Sequence, residues 1–384
     1  LNLGDLYRKR GRVAEAAEVF ERLFQISTEA LGNENQTTIL VSLHLGHTMI
    51  ELERYDEAVD ILSQTHRVVE KKLPNSHPFM YPIKQTLAVA CQKAGQFQPA
   101  ITLLQELTMR HDSGEKKPDR NYLGDKSRLA NVYESTGQLE ESLAIRRELV
   151  NAYQQEFGRD HRNTLFERHK LASTLLDLEQ YEEAASNFKE LHQLESELLG
   201  EGDPRTFASR AGQGISLMFS GQTEEGQALV LPVIDQLTIS LQADWVNQKL
   251  QKYYLKIEDL TAFRQLMENY LAQVEDAGDD ASITDRILLD YGRGLLLLED
   301  YDDAAMQLQT ALEQLENSNT SDLDRLEAEL LMGAALLGSG KTAEGLVLLD
   351  QTFDVLQQRQ STLAANRQAD IENIISKSIA IMQT

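Results

Sequence analysis

Six short strings recur along this chain at a spacing that never changes: GRVAEA at 11, ERYDEA at 53, GQFQPA at 95, GQLEES at 137, EQYEEA at 179 and GQTEEG at 221. Each begins 42 residues after the one before, with no insertion. A single globular domain has little reason to count, because its loops absorb changes of length cheaply. A stack of like units does, since every unit must present the same face to the next, and a constant repeat length is the pitch of such a stack.

Aligned on that period, the chain falls into columns with physical meanings. Gly4, Gly46, Ala88, Ala130, Ala172 and Gly214 form one column of small residues, and Ala16, Ala58, Ala100, Ser142, Ala184 and Gly226 form another. Small side chains at fixed points on two successive helices allow the close approach that an antiparallel helical hairpin needs. Between the columns lies the turn. Gly11, Gly95, Gly137 and Gly221 stand where a helix ends in a left-handed residue, and Glu53 and Glu179 stand where that conformation is not expected. Pro99 falls in the first turn of a second helix, where its missing N–H costs nothing. The stripe Val59, Ile61, Leu62, Val68, Val69 and Leu73 is too narrow for a buried helix and must be covered by a neighbouring hairpin.

The rhythm predicts an all-α fold: a right-handed α-solenoid, or superhelix, of about nine hairpins. Residues 1–240 hold the regular repeats. A degenerate hairpin over 241–280 turns near Glu258 and Asp259, two further hairpins occupy 281–360, and a capping helix fills 361–384. The signatures EDYDDA at 299 and GKTAEG at 340 mark the later turns.

Composition narrows the partners. Thirty-seven basic against 61 acidic residues leave a formal charge of −24, which repels phosphate backbones and anionic lipid, so neither nucleic acid nor membrane is expected. No apolar run approaches a membrane span; LLLL at 295–298 ends at Glu299 and Asp300. The single cysteine, Cys91, allows no intrachain disulfide and points to a reducing, cytoplasmic compartment. The chain opens at Leu1 inside a helical pattern, as a piece of a longer protein would, and its first hairpin is expected to expose apolar surface. Oligomeric state stays open.

The pattern L-A/G-x-x-Y, then G-x-Y-x-E-A, then L-G-x-x-H-P-x-T is carried by LANVY at 129–133, GQLEES at 137 and the loops LPNSHPFM at 73, FGRDHRNT at 157 and LGEGDPRT at 199. It resembles the 42-residue tetratricopeptide repeat of kinesin light chains and of many bacterial signalling and scaffold proteins, strongly over residues 1–240 and more weakly to 360. The resemblance implies a non-enzymatic scaffold that binds a protein or peptide on its concave face and needs no cofactor or metal. An alternative is a peptide-sensing module that regulates an attached domain such as a serine/threonine kinase. Kinesin light chains carry an Asn pair ahead of the L-A column, where this chain has Leu43 and His44, Gln85 and Thr86, Ser127 and Arg128, and His169 and Lys170. Their cargo specificity is therefore not implied.

In this repeat class the first helices line the concave face, which places His44, His47, Arg128, Asn131, His169, Lys170 and Ser173 toward a bound partner. A cluster of cations and amide or hydroxyl donors within an acidic protein suits an acidic side chain or a C-terminal carboxylate. Lys84, Lys126, Arg168 and Arg210 form a basic ladder at 42-residue steps. It suits an extended acidic peptide, or else each rung pairs with a glutamate on the neighbouring second helix, the reading preferred here. ALLGSGKT at 335–342 has the form of a phosphate-binding loop and would make the chain a nucleotide-binding enzyme, but the repeat register puts Gly340 in a hairpin turn with no strand before it. His44 and His47 lack a third metal ligand, and groove lining is preferred for them. His77 and His161 belong to the inter-repeat loop and are expected to order it. Trp245 is read as a packing residue.

Overall fold

The computed structural model describes residues 1–72, 77–112, 120–234, 241–277, 281–316, 322–359 and 365–382, and the secondary structure there is entirely helical. The chain divides into two compact units, Leu1–Ile145 and Arg146–Thr384. The first holds α1 (Asn2–Lys9), α2 (Val13–Leu31), α3 (Gln36–Glu51), α4 (Tyr55–Lys72), α5 (Met80–Lys93), α6 (Phe97–Asp112), α7 (Arg120–Ser135) and the start of α8 (Leu139–Phe157). The second holds the rest of α8, then α9 (Arg162–Asp177), α10 (Tyr181–Leu199), α11 (Pro204–Phe219), α12 (Thr223–Ile234), α13 (Leu241–Lys256), α14 (Leu260–Ala277), α15 (Ala281–Leu297), α16 (Tyr301–Leu315), α17 (Asp322–Gly338), α18 (Thr342–Arg359) and α19 (Ala365–Met382). Odd-numbered helices are the first members of hairpins and even-numbered ones the second; α19 follows the ninth hairpin. The fold class is an all-α solenoid.

The small columns act as the spacing implies. A Cβ added to Gly4 would lie 2.5 Å from the Phe20 ring, and one added to Gly46 would lie 2.7 Å from Leu62 Cγ, so each glycine is the hollow that receives a core side chain of its partner helix. At Gly214 and Gly226 both hollows coincide and the helix backbones themselves meet. Ala16, Ala58, Ala100, Ser142 and Ala184 are all fully buried.

Nine turns repeat one backbone device. The second residue after each first helix is left-handed, and the N–H of the next residue donates to the carbonyl five places back, as in Arg12 to Tyr7 (3.0 Å), Gln96 to Cys91 (2.8 Å) and Lys341 to Leu336 (2.9 Å). Here the expectation for Glu53 and Glu179 is corrected: both are left-handed, at φ 61° and 60°. Arg54 to Met49 and Gln180 to Leu175 make the same 2.9 Å bond, and this bond dictates the conformation whether or not the residue is glycine. Glu258 and Glu299 are held the same way.

The loops between hairpins begin the next first helix with a side-chain cap at 42-residue steps. Asn35 accepts from the Thr37 N–H, His77 from Phe79, His161 from Asn163 and Asp203 from Arg205, at 2.9 to 3.3 Å. The two histidines thus order their loops, His161 as the N-cap of α9 and His77 from two residues ahead of Phe79, the N-cap of α5. Residues 73–76 of the first of these loops lie outside the described residues.

In the second unit two first helices depart from the regular stack. α11 stacks on α10 as the period requires, but α13 lies against α11, and α19 lies against α17 and α15. α12 is short and contains Pro232. α11 carries the buried small residues Ala208, Ala211 and Gly212, the last a hollow for the Phe188 ring of α10.

Candidate functional site

The first helices of the leading unit are linked by polar contacts between columns. His44 Nδ1 lies 3.0 Å from Asp5 Oδ1, and its ring stacks on Phe20. His47 Nε2 lies 3.1 Å from Thr86 Oγ1; that hydroxyl donates its proton to the Pro82 carbonyl at 2.8 Å, so the imidazole is the donor to Thr86. Tyr81 and Gln85 of α5 donate to the two oxygens of the fully buried Asp125 of α7, at 2.6 and 2.9 Å.

Arg128 stands in the same column as His44 and Thr86, on α7. Its guanidinium is half-buried and has no hydrogen-bond or ion-pair partner among the described residues. Asn131, one turn on, is also half-buried, and its carbonyl accepts from Ser135 Oγ at 3.1 Å. A partly desolvated cation without a counter-ion is a site of unused attraction for a carboxylate.

On α9 the arrangement differs. His169 is enclosed by Phe188 and Trp245, with ring centroids at 5.4 and 4.6 Å, and burial with the nearby Lys170 and Lys249 pushes its imidazole down to about 3, so it is neutral. Ser173 accepts from Trp245 Nε1 at 2.9 Å. Four residues after Trp245, Lys249 contacts both oxygens of Asp177 at 2.6 Å, and Lys252 adds a third contact. Trp245 reaches past the small residues of α11 to this helix two hairpins earlier. His169 and Ser173 are therefore engaged by α13, and Lys170 is half-buried on the same helix. Sequence reading gives Trp245 a packing role but not its address. Only the structure supplies that, because contact across 72 residues leaves no local signal.

Lys84 and Arg168 of the basic ladder are paired as expected. Lys84 pairs with Glu106 at 2.5 Å and Arg168 with Glu190 at 2.9 Å, each on the second helix of its own hairpin, 22 residues on. Lys126 lies over the Tyr122 ring at 5.1 Å. Arg210 is half-buried, and 22 residues on stands Pro232 in place of a glutamate.

The core holds charges that the sequence reading passed over. Arg146 is completely buried at the column of Phe20, Leu62, Leu104 and Phe188, and bonds Glu167, also buried, at 2.9 Å. Their signal is legible afterwards in the columns, where polar residues replace apolar ones. The GSGKT string forms the turn between α17 and α18, with Gly340 at φ 86° and helix on both sides. Among the described residues no three His, Cys, Asp or Glu side chains are placed to hold a metal, and no helix is long and apolar enough to cross a membrane.

Comparison with known proteins gives a consistent picture. The tetratricopeptide repeat family model matches residues 1–71 and 126–191. No curated protein matches the chain. Among solved structures, the apo form of the quorum sensor NprR from B. thuringiensis is similar at a TM-score of 0.54, with 14% identity over 82% of this chain and 85% of that one. The nearly identical TPR-like repeats of a putative kinesin light chain from Podosopora anserina share 24% identity over 52% of this chain and 94% of that one, at a TM-score of 0.48. Aspartyl phosphate phosphatase F from Bacillus subtilis shares 14% over 93% and 92%, also at 0.48. Residues 1–71 and 126–191 match the tetratricopeptide repeat, and the 42-residue columns that carry the match run on through the residues between them.

Proposed function

We propose that the chain is a protein-interaction scaffold that reads a peptide or protein along the inner face of its first helices, with Arg128 as the anchor for an acidic side chain or a C-terminal carboxylate. The observation that carries this reading is the half-buried Arg128, without a partner among the described residues of a protein of charge −24. His44 stands in the same column two repeats earlier, and Asn131 lies one turn on from Arg128 on α7. Because these side chains stand on stacked helices, little ordering entropy is lost on the protein side when a partner binds.

The test is selection from a random peptide library displayed with free C-termini, followed by affinity measurement on the selected peptides. They should carry an acidic residue or depend on the free carboxylate. Binding should weaken about tenfold, the worth of one charge-assisted contact, on amidation or in Arg128→Ala. Selected peptides that bind Arg128→Ala as tightly as the parent would remove Arg128 from the site.

A further inference from the structure

The chain carries its own example of what covers one face of a first helix. On α9, His169, Ser173 and Asp177 follow one another at steps of four residues and so share a face. α13 meets them in order. Trp245 lies edge-on to the His169 ring, with centroids 4.6 Å apart, and donates from Nε1 to Ser173 Oγ at 2.9 Å. One turn further along both helices, Lys249 contacts the two oxygens of Asp177 at 2.6 Å. Past the end of α9, Lys256 reaches Glu179 at 3.4 Å and the Tyr181 hydroxyl at 2.8 Å. Residue numbers rise together on the two sides, so α13 runs parallel to α9 here. The steps stay in register because four residues rise about 6 Å on either helix.

α7 presents the same columns one repeat earlier. Ser127, Asn131 and Ser135 stand where α9 has His169, Ser173 and Asp177, and Arg128 stands where α9 has Lys170. The covering differs between the two helices. Ser173 and Leu176 of α9 are buried, whereas Asn131 and Glu134, their counterparts on α7, are half-buried. Serine and asparagine are short enough for a second helix to come within the usual 8–10 Å of helix packing. The charge is also inverted: α9 offers the carboxylate of Asp177 to a lysine, and α7 offers the guanidinium of Arg128 to a carboxylate.

We infer that the partner of the α7 face is an amphipathic α-helix laid parallel to α7, as α13 is laid on α9. An aromatic or large apolar residue stands over Ser127 and Asn131, in the manner of Trp245. An Asp or Glu stands one turn before it, against Arg128, which is itself one turn before Asn131. The inference rests on the reading that recognition centres on Arg128; it adds the partner's secondary structure, its direction and its residue pattern.

The test pits two display libraries against the full chain, both with blocked C-termini. In one, random residues decorate a single face of a helical scaffold of sixteen residues, the length of α13. In the other, random residues alternate with prolines that forbid a helix. Binders that weaken about tenfold in Arg128→Ala should come from the helical library and carry the acid one turn before the aromatic residue. A proline placed at the centre of such a binder should weaken it about a hundredfold. Arg128-dependent binders from the proline library that equal the helical ones, or helical binders that accept the central proline without loss, would overturn the helix and leave the anchor standing. Binders from either library that ignore Arg128→Ala, or none from both, would remove the anchor and this inference with it.

Discussion

The carboxyl group of Glu195 provides the sharpest quantitative expectation. It lies on α10, 3% exposed, and its Oε2 is among the buried oxygens without a hydrogen-bond partner. Ser209 of α11 lies near it, with its hydroxyl donating to the Thr206 carbonyl at 3.1 Å, and Arg205, Asp203 and Arg168 are the charged groups that face it. Burial outweighs the opposing pull of Ser209 and the two arginines and pushes the group up from 4.5 to about 7. The folded protein therefore holds this proton where the unfolded chain has released it. The stability contribution is complete below 4.5, is lost as pH rises to about 7, and is flat above that. The displacement corresponds to roughly 3 kcal/mol at ~1.4 kcal/mol per pH unit. Glu195→Gln keeps the shape but cannot ionise. Urea midpoints of parent and variant should nearly coincide at pH 4.5 and diverge with rising pH. By pH 8 the variant should be the more stable, by up to about 3 kcal/mol. Parallel pH profiles, or a variant less stable at pH 8, would refute the assignment of a buried, unpaired carboxyl.

Three further expectations follow from the packing. Replacing the left-handed Glu53 or Glu179 by glycine should raise stability by about 1 kcal/mol each, because L-residues bear a steric cost in that region; chemical denaturation reads this directly. Gly46→Ala places a Cβ against Leu62 and should cost about 1 to 3 kcal/mol. Gly214→Ala should cost more, since its Cβ would meet the Gly226 carbonyl oxygen, which cannot rotate away. Glu167→Ala strands the buried Arg146 and should cost about 3 to 5 kcal/mol, whereas the double change Arg146→Leu, Glu167→Ile, which restores the residues of the first-unit columns at Leu104 and Ile83, should recover most of it.

Much of this architecture is written in the period. The hollows at Gly4 and Gly46, the turns at Gly11 and Gly95 and the loop caps at His77 and His161 follow from columns that recur in register. Glu53 and Glu179 escaped because their conformation is imposed by a backbone hydrogen bond five residues long, which no side chain announces. The place of α13 against α11 has no counterpart in the period, and only the assembled helices bring Trp245 to His169. The residues that the sequence reading turns toward a partner were legible as positions on helices; which of them are already engaged was not. Arg128 and His169 belong to the same kind of helix face, yet one lacks a partner among the described residues and the other lies under an indole.

The central claim is that recognition runs along the first helices around Arg128. Hydrogen–deuterium exchange of the chain with and without a library-selected peptide tests it most directly. Protection confined to α3, α5 and α7, and absent in Arg128→Ala, is the predicted result; protection confined to the second helices α2, α4 and α6 would contradict the account.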